Sequence, residues 1–306
     1  MEGKMVKVLV TGGASNSMAV KVMEKLTASG MKVVLADNRE WDLDTNLNGM
    51  ASYYKTDLDK RELTSIFTQE KIDIVLHLKH ELITSNAMKD SFDQSEVNIA
   101  TTINVLEACV EAKVKKVIFP SAISVYGNET EEAVEDNFLD PALFEGLSKK
   151  MEEKYVMHYH KLYSLPFTIL RFADIYGIQT EGFIADNLEK AIDGQAPVIY
   201  GDGKQLRNFV YIDDAVDAIL ASLTKGDNEI INIASQSMYS LQEAAEMIGD
   251  SAGNLHPIFK DSQGELASSC SVSVAKAKEI LGWKADISLR EGLEKAMQQF
   301  RLKKHS

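Results

Sequence analysis

The sequence predicts an α/β protein, a doubly wound parallel sheet with a smaller, irregular α/β lobe after it. Three observations carry that prediction. Lys7-Val8-Leu9-Val10 runs into the glycine turn Thr11-Gly12-Gly13 and then into a helical apolar period. Strand and helix patterns alternate without a composition break through residues 1–176. The strands are apolar almost without interruption, as parallel strands covered on both faces must be.

Taken in order, the helical period Val20, Val22, Met23, Leu26 stops at Gly30, and Met31 to Ala36 forms a second strand with Asp37 at its end. Strand, glycine turn, helix and strand together present a helix N-terminus to a pyrophosphate and an acid to a ribose. That is the dinucleotide-binding unit of Rossmann-like folds. Further strands are expected at Ser52–Lys55, Ile72–His77, Lys116–Phe119 and Pro166–Arg171, with helices at Lys60–Gln69, Glu96–Ala112 and Leu147–Tyr163. Residues 1–176 therefore read as a dinucleotide-binding domain. Past Tyr176-Gly177 the rhythm loosens: helices at Phe183–Ile192, Asp213–Leu223, Leu241–Ile248 and Leu289–Phe300 alternate with the short strands Pro197–Tyr200 and Ile230–Ile233 and with the run Gly201–Tyr211. Residues 177–306 read as a substrate-binding lobe closing over the C-terminal edge of the sheet, the two lobes making one compact unit.

At 306 residues the chain can bury a large core. Its net charge of −13 argues against nucleic acid or an anionic membrane as a partner. Two cysteines, Cys109 and Cys270, without a metal-site spacing, fit a reduced cytoplasmic setting and no metal. No apolar run reaches the roughly 18 residues needed to span a bilayer.

A set of landmarks in order runs the whole length: Thr11-Gly12-Gly13, Asp37, Asp57-Leu58, His77-Leu78, Asn98 with Thr101 and Asn104, Val125-Tyr126-Gly127, Ser148-Lys149 with Glu153, Leu170-Arg171-Phe172, Tyr176-Gly177, Gly201 to Arg207 with Asp213-Asp214, and Leu281-Gly282-Trp283. In these the chain resembles the extended short-chain dehydrogenase/reductases, specifically the NAD-dependent nucleotide-sugar epimerase/dehydratase family and its 4-epimerase branch. The resemblance implies that NAD is the cofactor and a nucleotide sugar the substrate. It implies that Thr11, Gly12, Gly13, Ser15 and Asn16 line the pyrophosphate, Asp37 binds the adenosine ribose, Asp57 and Leu58 meet the adenine, Leu78 and Lys149 lie along the cofactor, and Arg207 grips the substrate diphosphate. A carboxylate at Asp37 implies NAD rather than NADP. It also implies a homodimer through the helices at Glu96–Ala112 and Leu147–Tyr163, the first carrying Val97, Ile99, Ile103, Val105, Leu106 and Val110.

The departures from the family pattern are specific. Ser15 and Met18 replace the second and third glycines of the turn. Of the catalytic Ser/Thr, Tyr and Lys, only Lys149 remains; Ala122 and Glu145 hold the other two positions, leaving Ser124 and Tyr126 as the nearby hydroxyls. Ile123-Ser124 fills the slot where dehydratases keep an Asp-Glu pair. Asp174 stands where the family has a phosphate-contacting Asn, and Leu266 to Cys270 offers no Arg. Glu145 lies four residues before Lys149, the favourable order for an ion pair. A paired carboxylate is a poor base unless desolvation raises its pKa. Two functions follow from these residues: an NAD-linked epimerase or reductase with altered catalytic groups, or a catalytically silent member serving as a nucleotide-binding or partner subunit.

Overall fold

The structure is a computed structural model, and it describes residues 5–14, 17–41, 49, 51–81, 88–128, 131–178, 180–261 and 270–305. In chain order its first half consists of β1 (Lys7–Thr11), α1 (Ser17–Ala28), β2 (Lys32–Asp37), β3 (Ala51–Lys55), α2 (Lys60–Glu70), β4 (Ile74–His77), α3 (Met88–Ala112), β5 (Lys116–Ala122), α4 (Phe144–Tyr163) and β6 (Phe167–Phe172). The remainder is β7 (Asp174–Tyr176), α5 (Phe183–Ile192), β8 (Val198–Tyr200), β9 (Leu206–Tyr211), α6 (Ile212–Ser222), β10 (Glu229–Ile233), β11 (Met238–Ser240), α7 (Leu241–Ser251), β12 (Ile258–Lys260) and α8 (Leu289–His305).

The large sheet has seven strands in the order β10-β6-β5-β4-β1-β2-β3, every pair parallel. Alternation along β1 shows why both faces are apolar. Val8 and Val10 enter the core under α1 and α6, whereas Leu9 enters the core under α2, α3 and α4. The strand order reverses between β1 and β4, so the loops leaving these two strands diverge and open a crevice at their C-terminal ends.

Three placements differ from the sequence expectation. The segment Ile230–Ile233, expected in the smaller lobe, lies in the large sheet as β10, with Ile231 and Ile233 fully buried beside β6. Its apolar, β-branched composition suits a sheet covered on both faces. Helix α4 starts at Phe144, one turn before the expected Leu147, which puts Glu145 in its first turn. Glu145 and Gly146 carry no apolar periodicity, and Gly146 instead allows a close approach: a Cβ there would lie 2.5 Å from the Ser124 carbonyl oxygen. Helix α3 likewise begins at Met88 rather than Glu96; its first turns are polar and show no apolar stripe by which the sequence could reveal them.

The smaller sheets are β11-β9-β7 and β12-β8. Strand β7 leaves the end of β6 and pairs with β9 in register Asp174↔Phe209, which brings Asp174 beside Arg207.

Candidate active site

The crevice between β1 and β4 begins at the glycine turn. Gly12 and Gly13 have φ of 77° and 104°, and a Cβ on Gly12 would lie 2.4 Å from the Lys79 Cα, so the turn needs glycine both for its backbone and for its clearance. The Leu78 amide donates to the Thr11 carbonyl at 2.9 Å, continuing the ladder past the strand ends. Asp37 stands at the tip of β2, where the ribose-binding acid was expected. It is 2% exposed and accepts from the Ala14 amide (2.8 Å) and the Arg39 amide (3.3 Å). Lys79 covers it, with Nζ 3.7 Å from Asp37 Oδ1, 2.9 Å from Asn38 Oδ1 and 2.6 Å from Glu81 Oε1.

Met18 packs, partly buried, against the core. Asp57 is exposed, whereas Leu58 is buried with φ of 61° and its carbonyl accepts from Asn104. Ser15 and Asn16 lie outside the described residues, as do Leu266 to Ser269.

Helix α4 carries the second group of residues, and here the expected ion pair does not form. No ion pair joins Glu145 to Lys149 among the described residues; Lys149 turns inward instead, its Nζ 3.7 Å from Glu152 Oε2 and 4.8 Å from the centre of the Phe119 ring. Glu152 is fully buried. It accepts from Thr102 at 3.0 Å and from Ser148 at 3.2 Å, and His80 Nδ1 lies 3.6 Å away. The Thr102 hydroxyl, having donated to Glu152, must accept from His77 Nε2–H (3.0 Å), which leaves His77 Nδ1 to accept from the Thr11 hydroxyl (2.5 Å). Burial holds His77 neutral, its pKa pulled down to about 3, and His80 is likewise pushed well below the usual histidine range. A directed chain of hydrogen bonds therefore connects the glycine turn to the counter-ion of Lys149.

Glu145 is half-buried at the mouth of this arrangement. Burial raises its pKa; Lys149 and Arg207 oppose the rise, and Asp174 reinforces it. The helix N-terminus favours the ionised form, yet desolvation outweighs it. Arg207 Nη1 donates to Asp174 Oδ2 at 3.1 Å. Although 43% of the Asp174 side chain is accessible in the open cleft, the protein around it is close enough that desolvation pushes its carboxyl up against the pull of Arg207. Among the described residues, Arg207 Nε and Ser124 Oγ are buried here without a hydrogen-bond partner, as are both ring nitrogens of His80. Glu145 and Lys149, on one helix, thus share an electrostatic neighbourhood with Asp174 and Arg207 from distant parts of the sequence.

Tyr126, singled out from the sequence as a possible catalytic hydroxyl, belongs elsewhere. It is 1% exposed, accepts from Arg171 Nη1 and donates to Asn232 Oδ1, both at 2.8 Å. Arg171 also donates to both oxygens of Glu153, at 3.0 and 2.7 Å, and Ser121 donates to the same carboxylate at 2.6 Å. Burial pushes the Tyr126 phenol up to about 12. With both hydroxyl lone pair and proton committed, it braces β5, β6, β10 and α4 and is closed to a substrate.

Sequence reasoning missed Lys79, His80 and Glu152. A signal existed for Glu152, which lies four residues after Ser148 and four before the buried Val156, on the inward stripe of α4. No such periodicity marks Lys79 and His80, which are in a loop. Among the described residues no group of side chains is arranged to hold a metal ion, and no helix is long and apolar enough to cross a membrane.

The glycine turn, Asp37 at the adjacent strand tip and Lys149 across the crevice suit an elongated dinucleotide lying over the sheet edge. A family model described as the NAD dependent epimerase/dehydratase family matches residues 8–234. A putative UDP-glucose 4-epimerase of Methanocaldococcus jannaschii is 30% identical over 299 residues, covering 95% of this chain and 97% of that protein. Among solved structures, UDP-glucose 4-epimerase of Thermotoga maritima with UDP-glucose is similar with a TM-score of 0.91 and 29% identity, over 97% of this chain and 99% of that one. UDP-glucuronic acid 4-epimerase of Bacillus cereus, in complex with UDP-glucuronic acid and NAD, gives 0.89 and 26% identity over the same shares.

Proposed function

The chain belongs to the NAD-dependent epimerase/dehydratase family, and from that premise we propose that it inverts C4 of a nucleotide-linked sugar with NAD as cofactor, Glu145 taking the place of the usual phenol. A UDP-sugar is the substrate class supported by what similar proteins are said to act on. One observation carries the proposal: Glu145 sits half-buried in the first turn of α4, one helical turn before Lys149, where burial raises its carboxyl pKa against the fields of Lys149 and Arg207. An ordinary carboxylate is about six units less basic than a phenolate. Desolvation narrows that gap, and it is the one change that makes a carboxylate serviceable as the base for a sugar hydroxyl.

When bound, NAD supplies hydride acceptance and return at C4. Residues that would hold it are Thr11, Gly12, Gly13, Asp37, Leu58, Leu78 and Lys149. Glu145 then receives the proton of the 4-hydroxyl on its carboxylate and returns it. Lys149, held by Glu152, keeps a positive charge near the reacting carbon. Ser124 Oγ, which has no hydrogen-bond partner among the described residues, offers the hydrogen bond that Ala122 cannot make, and Arg207 Nε, likewise without one among them, takes a diphosphate oxygen. Residues 1–176 hold the cofactor and bring Glu145 and Ser124 to the sugar, and residues 177–306 add Arg207 for the diphosphate.

Incubation with UDP-glucose, UDP-galactose and UDP-glucuronate, followed by proton NMR of the sugar, tests this. A C4 epimer is expected to form from at least one of them, and Glu145→Gln is expected to lose about a hundredfold or more in rate. No turnover of any nucleotide sugar with NAD present would remove the proposal. The silent-subunit reading keeps one supporting observation, the neutralisation of Arg207 by Asp174; turnover abolished by Glu145→Gln would end it.

A homodimer and a cytoplasmic setting complete the reading. Val97, Leu147, Met151 and Leu162 are exposed on α3 and α4, which pack together and would be covered by the same pair from a second copy. Cys109 and Cys270 are buried and unbridged. A monomeric mass by light scattering at micromolar concentration would exclude the dimer.

A further inference from the structure

The carboxylate that ends β2 excludes a ribose 2′-phosphate only while its charge is uncompensated, and in this chain it is compensated. Asp37 is almost fully buried, hydrogen-bonded by two backbone amides and approached by the ammonium of Lys79. Beside it, Lys79 and Arg39 share a third group. Glu81 sets Oε1 2.6 Å from Lys79 Nζ and Oε2 3.6 Å from Arg39 Nη2. One oxygen on a lysine and the other on an arginine is also how two oxygens of a phosphate would be received.

We infer that Lys79 and Arg39 form an anion subsite at the adenosine end of the crevice, occupied here by the Glu81 carboxylate, which takes the 2′-phosphate of NADP(H), so that the chain binds NADP(H) as well as NAD(H). This rests on the assignment of the crevice to a dinucleotide. The exchange needs little rearrangement. Asn98 pins the Glu81 backbone from both sides, its Oδ1 accepting from the Glu81 amide at 2.7 Å and its Nδ2 donating to the Glu81 carbonyl at 2.9 Å. Only the carboxylate has to leave, and with 31% of that side chain accessible it has water to turn into. A 2′-phosphate then brings a charge of roughly −1.5 to −2 in place of −1 to the same two cations.

Isothermal titration calorimetry of the full chain with NADPH and with NADH tests the subsite. Wild-type protein is expected to bind NADPH at least as tightly as NADH. Lys79→Met is expected to weaken NADPH about tenfold or more while changing NADH by less than about threefold, the scale of one lost charge-assisted hydrogen bond. Glu81→Gln, which removes the competing carboxylate from an accessible position, is expected to tighten NADPH more than NADH. Binding of NADH alone, or equal weakening of both nucleotides by Lys79→Met, would overturn the subsite and leave the cofactor crevice standing. Binding of neither nucleotide would overturn both.

Discussion

Glu152 and Glu153 are neighbours on α4, both fully buried, and they are used in opposite ways. Glu153 receives both arms of Arg171 at 2.7 and 3.0 Å together with the Ser121 hydroxyl. Its charge is matched at hydrogen-bond distance, and the result is a brace that ties the helix to the sheet through Arg171, Tyr126 and Asn232. Glu152 receives hydroxyls at hydrogen-bond distance, but its cation and its histidine stand off at 3.7 and 3.6 Å. The same residue type is rigid where its partner is a bidentate guanidinium. It sets a field where its partner is an ammonium standing off at 3.7 Å.

The largest difference between the two should appear on removal of the brace. Glu153→Ala leaves the buried Arg171 uncompensated and is expected to cost about 3–5 kcal/mol in urea unfolding. A loss below about 1 kcal/mol would mean that the brace is not structural. Glu152→Gln keeps one of the two acceptor oxygens that Thr102 and Ser148 use and is expected to cost less, about 1 to 2 kcal/mol. Its distinctive effect lies in the pH profile. With its counter-ion gone, Lys149 acts more strongly on Glu145 and lowers the carboxyl pKa, so the rising limb of activity moves to lower pH. An unmoved limb in Glu152→Gln would show that Lys149 and Glu145 are not coupled.

The smallest expected effect is the pH dependence of stability from Glu145 itself. Its folded-state pKa is raised, so the folded form binds the proton more tightly than the unfolded chain does. The stability it contributes is complete below the unfolded value of about 4.3 and is lost as pH rises through the folded value. Glu145→Gln should therefore gain stability relative to wild type across that window and hold the gain above it. Paired melting curves over a pH series would show it, and a constant difference would contradict the raised pKa.

Much of the fold was legible in the sequence because parallel sheets impose a local signature. Apolar strands, a glycine turn and amphipathic helices recur in an order that admits few topologies. Strand β10 escaped assignment to the large sheet because a short apolar strand has the same pattern in either lobe, and only pairing with β6 distinguishes them. In the site, Lys149, Asp37, Arg207 and Glu145 are singled out by their positions in the pattern, and the structure puts Asp37 at the tip of β2, Arg207 on β9 and Lys149 and Glu145 on α4. Tyr126 could not be sorted from the catalytic hydroxyls, because the sequence does not show that Arg171 and Asn232 take both sides of its oxygen.

The sequence by itself determined the doubly wound sheet and the family, since each depends on local periodicity or on residue type at a position in an ordered pattern. The tertiary structure alone decided which charges meet. Glu145 is four residues from Lys149 along the helix, yet Lys149 turns to Glu152, and Asp37 is answered by Lys79 from another strand's loop. The physical reason is that side-chain pairing follows burial and distance in three dimensions. Desolvation and the fields of neighbouring charges, which set what each group can do, do not exist until the strands and helices have packed.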